Sequence, residues 1–367
     1  MTTIKTIEAR WLVLAAALLT GSGTAPAATV FPALERAALT VKAPQRQVMQ
    51  AAAQAGERLV AVGERGLVVL SDDAGGSWRQ ARSVPVSTTL TAVTFAGDKL
   101  GWAVGHGGVV LHTADGGETW VKQADGKSLA QTALQSAEQA LQGNAESAAA
   151  KRAVADAQAL MADGPDKPLL DVFFQNARHG WIVGAYNLFF ETKDGGASWT
   201  GAGVRLDNPK ALHLNALRAK GDVLFIVGEQ GQMHRSRDGG QSFEAVVSPY
   251  KGSWFALALG SDGSVVAAGL RGNAFYSADH GATWQPIEAA PPVSFVSANG
   301  LNDGSVLLAN QAGQLFTSKN GAALRPVSAP GLQGLTGLLV LKDQKLLALG
   351  FGGVMRVPAT GQIGPSK

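Results

Sequence analysis

The sequence predicts an all-β fold, a seven-bladed β-propeller of four-stranded antiparallel blades, with an α-helical hairpin inserted between blades 2 and 3. Three observations predict it. An eight-residue motif recurs at a period near 42 residues, a Gly-x-x-Gly turn precedes each copy, and short β-rich runs lie between these landmarks. A period in the low forties indicates one supersecondary unit per repeat, and a propeller blade contains four strands.

The recurring motif reads Ser/Thr-x-Asp-x-Gly-x-x-Trp, as in "TADGGETW" from Thr113 to Trp120. Successive aspartates are 41 to 44 residues apart, except for one step of 79 residues that contains an insertion. The copies are "SDDAGGSW" (71–78), "TADGGETW" (113–120), "TKDGGASW" (192–199), "SRDGGQSF" (236–243), "SADHGATW" (277–284) and the degenerate "SKNGAALR" (318–325), in which Asn320 is aligned with the aspartates.

We interpret each copy as a self-contained turn. The carboxylate can accept hydrogen bonds from N–H groups of its own loop, glycine permits the positive φ, and the aromatic ring can pack between sheets. Calcium binding is the alternative, but calcium takes six to eight oxygens and each box offers one carboxylate, with Asp72 adding a second in the first copy. We therefore predict no metal site, and structural roles for Asp73, Trp78, Asp115, Trp120, Asp194, Trp199, Asp238, Phe243, Asp279 and Trp284.

A Gly-x-x-Gly turn is the second landmark within each unit. In the second unit, the runs "LTAVTFAG", "LGWAVG", "GVVLHT" and "WVKQ" indicate four strands, with the turn joining the second to the third and the box joining the third to the fourth. The seventh unit has its turn, "GFGG" (350–353), but no box and no convincing fourth strand. We predict that residues 38–44, "ALTVKAP", supply that outer strand and close the ring.

The insertion covers about residues 123–168 and predicts two amphipathic helices. Apolar residues recur at helical spacing on either side of "GN" at 143–144, and Pro165 and Pro168 end the segment. The two stripes contain Leu129, Ala133, Leu134, Ala137 and Leu141, then Ala150, Val154, Ala157 and Met161.

Antiparallel topology assigns the turns to opposite faces of the propeller. The Gly-x-x-Gly turns, the connections between units and the insertion fall on one face, and the boxes fall on the other. The middle residues of the Gly-x-x-Gly turns vary between units, as a recognition surface requires, although solvated turn residues are an equally plain explanation. The candidate partner-binding residues are Glu64, Arg65, His106, Tyr186, Glu229, Gln230, Arg271, Gln311 and Phe351.

The N-terminus predicts export. Lys5 and Arg10 precede an apolar run, and Ala25-Pro26-Ala27 supplies small residues for cleavage. We predict a signal peptide at 1–27, a single propeller domain at 28–367 and a periplasmic location. The chain has no cysteine and a net charge of +3, so we expect no disulfide, no lipid anchor, no nucleic-acid partner and no membrane insertion after cleavage.

The boxes also carry a resemblance. They are the Asp-box, or BNR repeat, of sialidases and other propellers, and "GWAVGHGGVVLHTADGGETW" with "GWIVGAYNLFFETKDGGASW" resembles the photosystem II stability/assembly factor family. The similarity spans about residues 45–361, outside the insertion. It implies a seven-bladed propeller and a non-enzymatic role in assembly, with binding to a membrane-protein intermediate. The Gly-Trp pair is clear only at Gly101-Trp102 and Gly180-Trp181.

An enzyme is the main alternative. A sialidase-like site needs three arginines, a tyrosine with a neighbouring glutamate, and an acidic aspartate. The chain has three tyrosines and no Arg-Ile-Pro motif, no Gly-x-Ser-x-Gly elbow and no close histidine pair. We therefore expect no catalytic residue and no cofactor. The sequence favours an exported scaffold that binds an envelope membrane protein or complex; a BNR-type glycoside hydrolase and a glycan-binding module remain the alternatives.

Overall fold

Seven short antiparallel sheets follow one another along residues 31–357, the part of the chain that the computed structural model describes. The first strands of successive sheets contact one another, and the first strand of the seventh sheet contacts that of the first, so the sheets form a ring. The predicted seven-bladed propeller with a helical insertion is confirmed. The predicted signal peptide, 1–27, lies outside the described residues.

In each blade the first strand is innermost and the last strand is outermost. The first four blades contain β1 (Met49–Ala55), β2 (Arg58–Gly63), β3 (Val68–Ser71) and β4 (Arg79–Gln80); β5 (Leu90–Ala96), β6 (Leu100–Gly105), β7 (Val110–Thr113) and β8 (Val121–Ala124); β9 (Leu169–Phe174), β10 (Gly180–Gly184), β11 (Phe189–Thr192) and β12 (Thr200–Gly201); and β13 (Leu214–Lys220), β14 (Val223–Gly228), β15 (Met233–Ser236) and β16 (Glu244–Ala245).

The last three blades contain β17 (Trp254–Leu259), β18 (Val265–Gly269), β19 (Ala274–Ser277) and β20 (Gln285–Pro286); β21 (Phe295–Gly300), β22 (Val306–Asn310), β23 (Leu315–Ser318) and β24 (Arg325–Val327); and β25 (Leu335–Val340), β26 (Leu346–Gly350) and β27 (Gly353–Val357). Single 3-10 turns lie at Pro32–Leu34, Pro44–Arg46, Glu64–Gly66, His106–Gly108, Gly203–Arg205, Glu229–Gly231 and Leu270–Gly272.

The second strand of each blade lies in the core. Strands such as β18 and β26 are buried along their whole length, which is why they read as continuous apolar runs instead of alternating ones. The gaps between blades are filled by large side chains. The ring of Trp102 in blade 2 stacks on Phe174 in blade 3, with the centroids 3.5 Å apart. Such rings bury large apolar areas, so the packing between blades supplies much of the stability.

The first glycine of the Gly-x-x-Gly turn permits a close backbone approach. A Cβ at Gly63 would overlap the carbonyl oxygen of Val48, and a Cβ at Gly269 would overlap that of Ser253. The same overlap occurs at Gly105, Gly184, Gly228 and Gly350. At each of these places the first strand has a β-bulge at its second residue. In these six blades the glycine therefore leaves room for the crossing of two backbones. Blade 6 has the same bulge but carries Asn310 at this position.

The prediction for residues 38–44 is wrong. Those residues form no strand, and the seventh sheet has three strands within residues 31–357. The segment instead bonds to blade 1, because the Gln80 side chain accepts a hydrogen bond from the N–H of Val41 at 3.2 Å and donates one to the carbonyl of Leu39 at 2.9 Å. Ala43 then turns the chain with a φ of 49°, and Pro44 has no N–H for a ladder.

Inner strands close the ring instead. The Thr336 hydroxyl of β25 donates to the carbonyl of Met49 in β1 at 2.6 Å, and the N–H of Lys342 donates to Gln54 Oε1 at 3.1 Å. These bonds join blade 7 to blade 1 without a strand pairing in the described residues.

The insertion folds as predicted into α1 (Gly126–Gly143) and α2 (Ala148–Asp163). Asp125 and Ser128 form a reciprocal capping box at the start of α1, and the Ser147 hydroxyl caps α2. One residue of the predicted apolar stripe of α2 is replaced by its neighbour. Leu160 packs against the propeller core, whereas Met161 is 44% exposed.

We expect Gly269→Ala to lower the free energy of unfolding by about 3 kcal/mol, because the new Cβ would collide with the carbonyl of Ser253. The matched control is Gly300→Ala, where a Cβ would meet nothing within 4 Å. Both changes reduce the entropy of the unfolded chain alike, so urea unfolding of the two variants isolates the overlap. Equal stabilities would show that the close approach is not a constraint.

His234 on β15 is a second expected determinant of stability. Its side chain is fully buried, neither ring nitrogen has a hydrogen-bond partner among the described residues, and burial lowers its pKa to about 4. The unfolded chain takes up this proton near pH 6.5. The contribution of neutral His234 to the free energy of unfolding is therefore fully present above pH 6.5 and is lost as the pH falls towards 4. The total loss is on the order of 3 kcal/mol.

We expect His234→Leu to flatten the pH dependence of the unfolding free energy between pH 7 and 4.5, measured by urea titration at each pH. The control is His280→Leu, because His280 is exposed. That variant keeps the slope of the wild type. An unchanged slope in His234→Leu would contradict the assignment.

Candidate partner-binding face

The Gly-x-x-Gly turns and the boxes lie on opposite faces. The N–H of Gly66 donates to the carbonyl of Thr88 at 2.6 Å, which joins a Gly-x-x-Gly turn to the connection between blades 1 and 2. The N–H of Gly195 in the third box donates at 2.8 Å to the backbone carbonyl of Arg178, which lies in the turn between β9 and β10. We call the first surface the GxxG face, formed by the seven Gly-x-x-Gly turns and the connections between blades, and the second the box face.

Each intact box closes its own turn. Asp115 accepts from the Thr113 hydroxyl at 2.8 Å, the Thr119 N–H at 2.9 Å and the Thr119 hydroxyl at 2.6 Å. The other four aspartates accept the same set, with Ser77, Ser198, Ser242 and Thr283 in the place of Thr119. The sequence reading had not singled out this seventh-position hydroxyl, although all five intact copies carry Ser or Thr there.

These bonds stabilise the charged carboxylates. Hydrogen bonds from the N–H and hydroxyl of Ser77 hold the pKa of Asp73 well below its usual range, and the hydroxyl and N–H of Thr283 do the same for Asp279. Among residues 31–357, no group of three or more His, Asp or Glu side chains could hold a metal ion.

The box aromatics pack between neighbouring blades. Trp120 is buried, its indole N–H donates to the carbonyl of Gly117 at 3.0 Å, and Phe95 meets it edge to face. The other four rings are half-buried; they are Trp78, Trp199, Phe243 and Trp284.

The sixth box differs from its predicted alignment. In the intact boxes the fourth residue has a left-handed backbone, with a φ of 55° at both Ala74 and His280. Asn320 has the same conformation, with a φ of 52°, but it is the third residue of its box, counted from Ser318. The turn is therefore one residue shorter and has lost its aspartate position. Leu324 is buried, and its N–H donates to the backbone carbonyl of Glu288, which follows the last strand of the preceding blade. The N–H of Trp120 donates in the same way to the backbone carbonyl of Ser83. Leu324, not Arg325, takes the place of the aromatic residue.

The structure places all nine candidate partner-binding residues on the GxxG face, and eight of them are exposed; Glu229 is half-buried. Four of them, at equivalent turn positions, have left-handed backbones: the φ angles are 55° at Arg65, 53° at Tyr186, 50° at Gln230 and 56° at Arg271. Blade 2 has Gly107 at this position, with a φ of 72°. A side chain costs about 1–2 kcal/mol in this conformation, so the backbone alone favours glycine at all four.

Tyr186 is supported by neighbours that the sequence reading missed. Its ring meets that of His213 edge to face at 4.8 Å, and Lys167 Nζ lies 5.3 Å from the ring centre. The backbone N–H of Tyr186 donates to Nδ1 of His213 at 3.2 Å, and Glu229 accepts from the N–H of His213 at 3.0 Å. Lys167 and His213 lie in connections between blades, which no repeat aligns.

Exposed apolar side chains concentrate on the GxxG face. Seven large apolar side chains are exposed in residues 31–357, and two of these, Val121 and Met161, lie on an outer strand and on the hairpin. The other five lie on the GxxG face: Leu39, Tyr186, Val247, Phe255 and Phe351. The sequence had indicated only Tyr186 and Phe351. Leu39, Val247 and Phe255 had no repeat position that marked them as exposed.

None of the helices within residues 31–357 is both long enough and apolar enough to cross a membrane.

Comparison with known proteins supports the predicted resemblance. A family model described as photosynthesis system II assembly factor YCF48 matches residues 33–155 and 150–251, which is more than half of the chain. A BNR/Asp-box repeat model matches residues 275–286.

Curated relatives include photosystem II assembly lipoproteins Ycf48 of Synechococcus sp. (strain CC9902) and Parasynechococcus marenigrum (strain WH8102). The first is 29% identical over 36% of this chain and 44% of its own length. The second is 28% identical over 35% of this chain and 50% of its own length. The chain thus spans about half the length of these relatives.

Solved structures share the fold. A structure of YCF48 bound to D1 peptide is 17% identical with a TM-score of 0.61, covering 87% of this chain and 98% of that one. The WD40 propeller domain of Doa1 is 10% identical with a TM-score of 0.62, covering 90% of this chain and 97% of that one.

We expect Asp115→Ala to lower the free energy of unfolding by about 1–3 kcal/mol, because three donors of the turn lose their acceptor. Glu57→Ala is the control, since Glu57 is an exposed carboxylate on another loop. Thermal unfolding is measured with 1 mM calcium and with chelator. A calcium-dependent rise in Tm that Asp115→Ala abolishes would contradict a purely structural turn.

Proposed function

This chain belongs to the photosystem II assembly factor YCF48 family, and from that premise we propose that it binds a protein partner through the GxxG face. The observation that carries the proposal is the chemistry of that face. It has exposed tyrosine and phenylalanine beside arginine and glutamine held in left-handed backbones. Aromatic residues and arginine are enriched at protein interfaces.

The left-handed positions favour recognition over a purely structural role. If Arg65, Gln230 and Arg271 served only to turn the chain, glycine would do so at lower conformational cost. Their side chains make no hydrogen bond or ion pair within residues 31–357, so they do not stabilise the turns themselves. A ring of such side chains on a rigid scaffold is suited to contact another molecule.

The partner that we propose is a segment of an envelope membrane protein or complex, whose assembly or operation the propeller assists. The structure of a YCF48 protein bound to D1 peptide supports a peptide segment as the bound form. The N-terminal 27 residues, with their charged and then apolar pattern, support export to the periplasm. The curated relatives are named lipoproteins, whereas this chain has no cysteine, so we propose a periplasmic form without a lipid anchor.

We further propose that the protein is not an enzyme. The box carboxylates are engaged by hydroxyl and N–H donors of their own turns, which leaves them poorly placed for acid–base work. A BNR-type glycosidase is the alternative. Turnover of a fluorogenic sialoside or related glycoside by the purified chain, abolished by a point change on the GxxG face, would overturn the non-enzymatic proposal.

We expect the triple change Arg65→Gly, Gln230→Gly and Arg271→Gly to weaken capture of the envelope partner at least about tenfold, because interface arginines often contribute strongly to binding. Folding stability should stay within about 1 kcal/mol of the wild type or rise, since relief of the left-handed strain offsets the added freedom of the unfolded chain. The measurements are quantitative affinity capture from solubilised envelope membranes, and thermal unfolding.

The control is the pair Ala74→Gly and His280→Gly. Both residues are exposed, both have a φ of 55°, and both lie on the box face. The control should retain the same captured proteins at wild-type levels. Retention by the triple variant as well would overturn the proposal that these left-handed side chains bind the partner.

A further inference from the structure

The helical hairpin covers an edge of the propeller. The outermost strand of blade 3, β12, has two residues, and the Ser136 hydroxyl of α1 accepts a hydrogen bond from the N–H of Gly201 at 2.9 Å. A free strand edge would offer unpaired backbone groups to other chains. The hairpin blocks that edge, and its inner surface faces the side of blade 3.

The hairpin does not fill the space beneath it. A cleft of about 190 Å³ remains between α1, α2 and blade 3. Alanine dominates the facing stripes of both helices, and these short side chains leave a gap that larger ones would close. Its walls are largely apolar, and they include Ala153, Ala157 and Leu160 of α2 with Leu188, Phe190 and Val204 of blade 3.

The size of this cleft suits one side chain. Sites for small molecules and cofactors typically enclose about 300–1,000 Å³, so 190 Å³ is small for a cofactor. An apolar space smaller than a ligand site suits one large apolar side chain of a partner, such as phenylalanine, leucine or tryptophan. Interfaces gain most of their affinity from a few such anchors seated in apolar pockets.

The rim of the cleft is acidic. Asp156 and Asp163 line it together with Lys167. The Lys167 ammonium is shared by Asp163 at 3.2 Å and Asp166 at 2.7 Å, so its charge is already balanced. Asp156 has no cation within 4.0 Å among the described residues. A positively charged group beside the anchor would therefore find a complementary field.

The cleft is continuous with the GxxG face. Tyr186 lines it and is also 54% exposed in its Gly-x-x-Gly turn. The Lys167 ammonium lies over the same ring. A peptide that crosses the face near blade 3 would therefore pass the mouth of the cleft.

We propose that this cleft binds one bulky apolar side chain of a partner peptide, next to a lysine or arginine that pairs with Asp156. The inference deepens the proposed function and rests on it. It assigns the hairpin a role in specificity, because the hairpin and blade 3 together form the pocket.

The test is selection of a random twelve-residue phage-displayed peptide library on the intact folded chain, followed by affinity measurements on the selected synthetic peptides. The selected peptides should share a large apolar residue beside a lysine or arginine. Ala153→Leu extends a side chain into the cleft and should reduce affinity at least about tenfold. The matched control is Ala155→Leu, the same change on the solvent side of α2, which should bind within about twofold of the wild type.

A second variant does not depend on repacking. Asp156 is exposed, so Asp156→Asn should fold normally and lower affinity about two- to fivefold in low salt, with a smaller loss at high salt. Circular dichroism and Tm check both variants. If Ala153→Leu does not fold, the salt-dependent loss in Asp156→Asn decides.

The outcomes separate the two proposals. Peptides that bind equally well to Ala153→Leu and Asp156→Asn but lose affinity for the triple GxxG variant would overturn the cleft and leave the proposed function standing. Loss with Ala153→Leu but not with the triple variant would support the cleft and count against the GxxG ring. Selection of acidic peptides, or of none, would overturn the cleft.

Discussion

The close crossing of two backbones at the start of each blade is the constraint on which the rest of this propeller depends. The chain that enters the first strand crosses over the end of the second strand. In six blades a glycine at that end leaves room for a backbone carbonyl oxygen of the entering chain. The bulge in the first strand follows from the same crossing. The crossing places the Gly-x-x-Gly turns against the connections between blades. It therefore creates one face on which loops of neighbouring blades meet.

The two faces use their polar groups in opposite ways. On the box face, the carboxylate and hydroxyl of each turn satisfy each other, as Asp115 and Thr119 do. On the GxxG face, backbone bonds hold the turns, so side chains such as Arg65 and Arg271 are left for other contacts. Such a division allows recognition residues to change without loss of the turns that present them.

The repeat was sufficient to predict the fold and the faces, because a blade is a local unit and its landmarks are glycine, aspartate and tryptophan at fixed spacing. Its one long step located the insertion, and helical spacing of apolar residues within the insertion predicted the hairpin. The errors fell where the repeat is irregular. Residues 38–44 have a strand-like composition but bond to Gln80 instead, and a one-residue deletion displaced Asn320. The cleft beneath α2, and Leu39, Val247 and Phe255 on the GxxG face, depend on packing between segments that no spacing describes.

The junction between blades 7 and 1 differs in kind from an outer-strand closure. In residues 31–357 it is held by the Thr336 hydroxyl, by the backbone N–H of Lys342 and by apolar side chains that pack between the two blades, not by a backbone ladder. A ladder shares its load over many bonds, whereas a few side-chain bonds can break one at a time. At the other six junctions the chain itself also runs from one blade into the next, whereas within residues 31–357 blades 7 and 1 are joined by noncovalent contacts alone. Partial opening therefore costs less free energy at this seam than at the other six junctions. Amide hydrogens next to that seam would exchange with solvent before those of the remaining blades. A bound partner that contacts both blade 7 and blade 1 would raise the free energy of opening there.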